Sequence, residues 1–175
     1  MKKRNLLFVL LSLIMLTACQ SKKSYHKKVN EVYIKALLVA SLSESEASTV
    51  AKIWSDAIFD KKDEDGSYCY DFNDALSRHA DKVHNLRKAQ RTQTDSLAIY
   101  AADLKDYPKD CESEYNDLID IISSVTSLTR MATDPSGSLS SYRDSYREVD
   151  DDVARKFDSF KIKHADVLKD ASDDK

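Results

Sequence analysis

The chain has 175 residues and a formal charge of −3, with 27 Lys+Arg against 30 Asp+Glu. An acidic balance with no basic face to meet phosphates argues against nucleic acid as a partner. Gly66, Gly137, Pro108 and Pro135 are its only glycines and prolines, too few for the many turns of a sandwich or barrel.

Met1-Lys2-Lys3-Arg4 precedes an apolar run from Leu6 to Leu16 that closes on Leu16-Thr17-Ala18-Cys19. The basic start suits the anionic inner face of a membrane, and the run has the length of a cleaved signal rather than a permanent span. Residues 1–18 therefore read as a bacterial lipoprotein signal peptide, cut so that Cys19 carries a diacylglyceryl and acyl lipid. The competing reading is an ordinary secretory signal, with Cys19 a free thiol. The lipid would anchor the chain in the bilayer of the cell membrane, at its extracytoplasmic face. Cleavage removes Lys2, Lys3 and Arg4 and no acid, leaving 24 Lys+Arg against 30 Asp+Glu, a charge of −6. The 157 residues that remain are one domain's worth of chain.

Residues 19–27 read as the lipidated start and a short polar tether. Lys22, Lys23, Lys27 and Lys28 would each add ~1 kcal/mol of attraction to an anionic bilayer, or else merely solvate a linker. Residues 28–170 read as a helical bundle domain, and 171–175 as an acidic tail. The first helix shows Val29, Tyr33, Ala36, Ala40, Ser43, Ala47, Val50, Trp54 and Ala57 in alternating steps of four and three, a seven-residue repeat. Val32, Leu37, Leu38, Ala51, Ile53 and Ile58 widen the stripe, as in a helix with several neighbours. The serines of Ser41-Leu42-Ser43-Glu44-Ser45 favour a break, but the register survives across them and predicts one helix.

A charged loop follows at 60–70, and Asp71 is placed to cap the second helix, with Asp74 three residues on. That helix reads Phe72, Leu76, His79, Val83, Leu86, Gln90, Gln93, Leu97, Tyr100, Leu104, and stops before Pro108. Pro108 suits the first turn of a third helix, whose apolar face is Cys111, Tyr115, Leu118, Ile122, Val125, Leu128 and Ala132. After the turn Asp134-Pro135-Ser136-Gly137-Ser138, a fourth helix presents Leu139, Tyr142, Tyr146, Val149, Val153, Phe157, Phe160, His164 and Val167. Short connections make successive helices antiparallel neighbours. The expected fold is all-α, an elongated up-down-up-down four-helix bundle with coiled-coil-like packing.

Three clusters, Trp54-Ser-Asp-Ala57-Ile58, Asp71-Phe72-Asn73-Asp74-Ala75-Leu76 and Asp134-Pro135-Ser136-Gly137-Ser138-Leu139, resemble a family of small helical proteins of Gram-positive bacteria. That family is exported or membrane-attached and has no established activity. The similarity runs over roughly residues 50–160 and implies a helical fold with no catalytic residues. In the bundle, all three clusters fall at the membrane-distal end, with the Tyr107-Pro108 turn near the bilayer. Trp54, Ile58, Asp71, Phe72 and Asn73, with Pro135, Ser136, Gly137 and Ser138, form the candidate interaction surface. The structural alternative is that Trp54 packs on Phe72, Asp71 caps and Gly137 permits a tight turn.

Catalytic and metal chemistry finds little support. Read as an EF-hand, the loop would put Lys61 at position one and Phe72 at position twelve, where oxygen ligands are needed. His26, His79, His84 and His164 stand in no metal-ligand spacing to one another, and no Glu-x-x-His pair occurs. His79 and His164 read as hydrogen-bonded core or boundary residues. No phosphate loop or nucleophile motif is present, so neither an enzyme nor a bound cofactor is expected. Cys69 and Cys111 make an even pair in an oxidising compartment, which suggests a disulfide. A straight second helix would hold them ~50 Å apart, which favours free thiols, with Cys111 in the core and Cys69 exposed in the loop. A bond would require that helix to fold back near Gln90–Asp95. The leading functional expectation is a non-catalytic surface lipoprotein that binds a protein or envelope component. The alternatives are exclusion of a phage or bacteriocin, and a ligand slot lined by Tyr33, Tyr100, Tyr115 and Tyr142.

Overall fold

The computed structural model describes the backbone of residues 2–170 and the side chains of residues 22–169. The expected signal peptide over 1–18, the expected lipidation site Cys19 and the tail 171–175 lie outside these described side chains. The regular structure is helical: α1 (Lys2–Phe59), α2 (Phe72–Lys82), α3 (His84–Ala102), α4 (Glu112–Thr133), α5 (Leu139–Lys163) and α6 (Ala165–Asp170). No helix among the described residues is long and apolar enough to cross a membrane.

Helix α1 packs against each of the other five. Helices α3 and α5 both touch α1 and α4 but, among the described residues, not each other. Every residue of the four-three stripe from Val29 to Ala57 is buried. Of the residues that were to widen it, Val32, Ala51 and Ile53 are buried, whereas Leu37, Leu38 and Ile58 face solvent. The serine stretch leaves α1 unbroken, because Ser43 Oγ donates back to the Val39 carbonyl and Thr49 Oγ1 to that of Ser45, an arrangement helices tolerate.

Residues 22–27, expected as a polar tether, instead continue α1. Tyr25 and His26 are buried, and the Tyr25 hydroxyl donates to the Leu104 carbonyl (3.3 Å). Lys23, Lys27 and Lys28 are exposed around them. The charges gave the segment the look of a linker while its apolar face carried the helical period on from Val29.

The second rod is broken at Val83 into α2 and α3, where one straight helix was expected. The third begins at Glu112 rather than at Pro108, which lies in the preceding connection and accepts from the Cys111 N–H (2.8 Å). The fourth opens where expected, with Ser138 and Ser141 capping each other's backbone. It ends at His164, which separates α5 from α6. The main cluster of apolar residues joins α1, α3, α4, α5 and α6. Two smaller clusters, around Trp54 and around Ile53, close the end that holds the 60–71 loop.

Candidate functional site

At that end the three sequence clusters meet. The Trp54 indole lies flat on the Phe72 ring, with centroids 3.7 Å apart and planes at 7°. Tyr142 tilts against the indole at 5.6 Å, and its hydroxyl donates to the Ala47 and Met131 carbonyls. Leu139, Met131 and Leu76 complete the contact. Asp71 caps α2 by accepting from the Asp74 N–H (3.0 Å), and Asp74 accepts in return from the Tyr70 N–H (3.1 Å). Gly137 has φ +93°, a conformation that glycine adopts without strain.

The candidate interaction residues therefore divide. Trp54 is buried, and Phe72 and Pro135 are half-buried; Ile58, Asp71, Asn73, Ser136, Gly137 and Ser138 are exposed. Three residues the sequence reading passed over stand out more: Phe59, Tyr68 and Tyr70 are 73%, 64% and 76% exposed, and the two tyrosines meet edge to face at 5.6 Å. Their signal was available. They are large aromatic residues that belong to no helical stripe and sit in or beside an otherwise charged loop.

The loop is tied down by a chain of charges. Asp63 accepts the N–H groups of Asp65 and Ser67 and the Arg78 guanidinium, so its oxygens hold the loop itself. His79 faces a carboxylate on each side: Nδ1–H donates to Glu64 (2.7 Å) and Nε2–H to Glu46 (3.2 Å). A ring with two acceptors carries both protons. The hydrogen bond to Glu46 raises its pKa, burial opposes that, and the bond to Glu64 adds to the rise. Burial alone would push Glu46 up, but hydrogen bonds from His79 and Arg87 hold it below the usual carboxylate range. Lys82, bonded to Glu64 and Asp65, lowers Glu64 likewise.

The opposite end, where α1 enters the core beside the start of α4, carries a second polar group. His26 Nε2 lies 3.9 Å from Cys111 Sγ and 3.7 Å from a Glu114 carboxylate oxygen, and all three residues are buried. Burial pushes the Cys111 thiol up to about 11, with the Glu114 charge adding to it. Cys111 is the core residue expected, but Cys69 is buried against Ile53, Ala57 and Ala75 rather than exposed. Both thiols are free. In the sequence His26 reads as part of the polar tether, so the grouping as a whole is not legible there. Its legible half was Cys111 and Glu114, three residues apart and hence on one face of a first helical turn.

The four tyrosines of the supposed ligand slot do not converge. Tyr33 stacks on Phe160 inside the main core, and Tyr142 packs on Trp54. Tyr115 pairs with Tyr107, and Tyr100 lies exposed beneath the Lys35 ammonium. The chain matches no protein-family model, no curated protein and no solved structure.

Proposed function

We propose that the protein is a membrane-anchored surface lipoprotein without catalytic activity, which binds a protein or envelope component through the end that holds Trp54 and the 60–71 loop. The observation that carries this reading is the exposure of Ile58, Phe59, Tyr68 and Tyr70 at an end braced by the Trp54–Phe72 stack. Aromatic residues displayed on a rigid frame suit binding, because they bring large contact area with few rotatable bonds. An up-down-up-down bundle would carry that end away from the bilayer. The paired contacts fit such a topology: Tyr25 with Leu104, Ser43 with Gln90, and Ser43 with Thr129. Lys163 with Asp117 and Lys156 with Ser124 continue the same pattern between α4 and α5. The lipid on Cys19 is the anchor, and residues 1–18 are its signal.

Two measurements test the reading. Detergent-phase partitioning should follow the native protein into the membrane fraction and fail for Cys19→Ala. A photo-crosslinking residue at Phe59 or Tyr70, in intact cells, should give a discrete adduct that one at exposed Lys88 does not. Equal labelling at all three positions would remove the binding role from this end.

A further inference from the structure

We propose that His26, Cys111 and Glu114 form a zinc site, with a fourth position left for water or another small ligand. The three side chains offer one nitrogen, one sulfur and one oxygen, and these atoms all lie within 4.8 Å of one another. All are buried, and they come from two helices that pack directly on each other, α1 and the start of α4. Mixed imidazole, thiolate and carboxylate ligation suits Zn²⁺, and three protein ligands with an open fourth position is a coordination that zinc accepts.

The spacing carries the argument. The 3.7 Å between His26 Nε2 and the Glu114 oxygen is long for a well-formed N–H···O bond, whose heavy atoms sit roughly 2.7–3.2 Å apart. The 3.9 Å contact with Cys111 Sγ is at the reach of a weak sulfur hydrogen bond. Tetrahedral zinc, with bonds of about 2.0–2.3 Å, would set nitrogen to oxygen and nitrogen to sulfur roughly 3.3–3.6 Å apart. The two separations from His26 lie a few tenths of an ångström beyond that geometry, and the third pair, Cys111 with Glu114, lies within 4.8 Å. Cys111 and Glu114 are already fixed on one face of a helical turn, and the packing of α1 presents His26 to both. On binding, zinc replaces the thiol proton, which leaves to solvent. The inference does not depend on membrane anchoring or on the binding role of the far end.

The test uses the full chain in detergent, reduced and freed of metal by chelation, titrated with Zn²⁺ against a chromophoric chelator. One equivalent should bind, and the thermal unfolding midpoint should rise with free zinc, as it does for any ligand of the folded state. Cys111→Ser, His26→Gln and Glu114→Gln should each weaken binding on the order of tenfold or more, since even outer partners of metal ligands reach that effect. Cys69→Ser should leave it unchanged. Because a core variant could lose its fold, cobalt provides a second reading. In the chain carrying Cys19→Ala and Cys69→Ser, where Cys111 is the sole cysteine, bound Co²⁺ should show a sulfur-to-metal charge-transfer band. Absence of zinc binding at micromolar concentration, binding indifferent to Cys111→Ser, or bound cobalt without that band would each overturn the assignment.

Discussion

Leu86 and Leu118 are the same residue type on expected core faces, yet Leu86 is 50% exposed and Leu118 fully buried. Leu118→Ala should cost about 2–5 kcal/mol through lost burial and a cavity. Leu86→Ala should stay within about 0.5 kcal/mol, as surface changes do. Chemical denaturation of the two variants checks the pair; a large loss at Leu86 would mean that the α3 register is wrong. The difference shows what hydrophobic patterning can read. Along α1, small and apolar residues mark the buried face, and each stripe position was legible. Along α3 the buried positions are Gln90, Thr94, Leu97 and Ala101, and two of these are polar. Gln90 Nε2 donates to Ser43 Oγ (2.7 Å), and Thr94 Oγ1 to Thr129 Oγ1 (3.3 Å). Hydrogen bonds between helices hold that seam, so a reading that follows apolar residues slips by one position toward Leu86 and Tyr100.

The element boundaries show the same limit. Nothing in Asp81-Lys82-Val83-His84 is a helix breaker, so the division of the second rod was not written in local sequence. Its cause is tertiary. His79 and Arg87 both reach the one Glu46 carboxylate, although a straight helix would set them ~12 Å apart along its axis. A break at Val83 lets both arrive. At His164, where α5 stops, the ring is again drawn to a carboxylate on another helix, Asp117 at 2.8 Å. The Glu46–His79–Glu64 chain makes stability depend on pH in a defined direction. His79 has a raised pKa in the fold, so its contribution is complete below the ordinary histidine value near 6.5 and is lost as pH climbs through the raised one. Glu46 and Glu64 have lowered values, so theirs is complete above about 4.5 and is lost as pH falls further. The network is therefore strongest between those limits. His79→Gln should destabilise the protein more at about pH 5.5 than at about pH 9, in urea melts of both chains. An equal loss at both pH values would show that the imidazolium pairing is absent.

At the scale of the whole molecule, the two cysteines measure how far apart its ends are. Cys69 packs beside Ile53 on α1, and Cys111 beside His26 on the same helix. Those α1 residues are 27 positions apart, hence ~40 Å along a continuous helix. A disulfide needs Cα atoms within about 7 Å. The break in the second rod does not bring the thiols together, because α1, unbroken between its two contacts, fixes the span by itself. Export into an oxidising space would favour a bond, but this geometry withholds it. Both thiols are also buried, so a folded chain should resist alkylation as well as oxidation. Intact-mass analysis should show two unmodified cysteines at these positions after brief exposure to an alkylating reagent. Both should be labelled, without reductant, once the chain is unfolded. Reductant should leave the unfolding midpoint unchanged, since no crosslink restrains the unfolded state. A native monomer that resists alkylation when unfolded, and yields both thiols only after reduction, would require α1 to bend. The aromatic end and the His26 end would then no longer lie at opposite extremes of the protein.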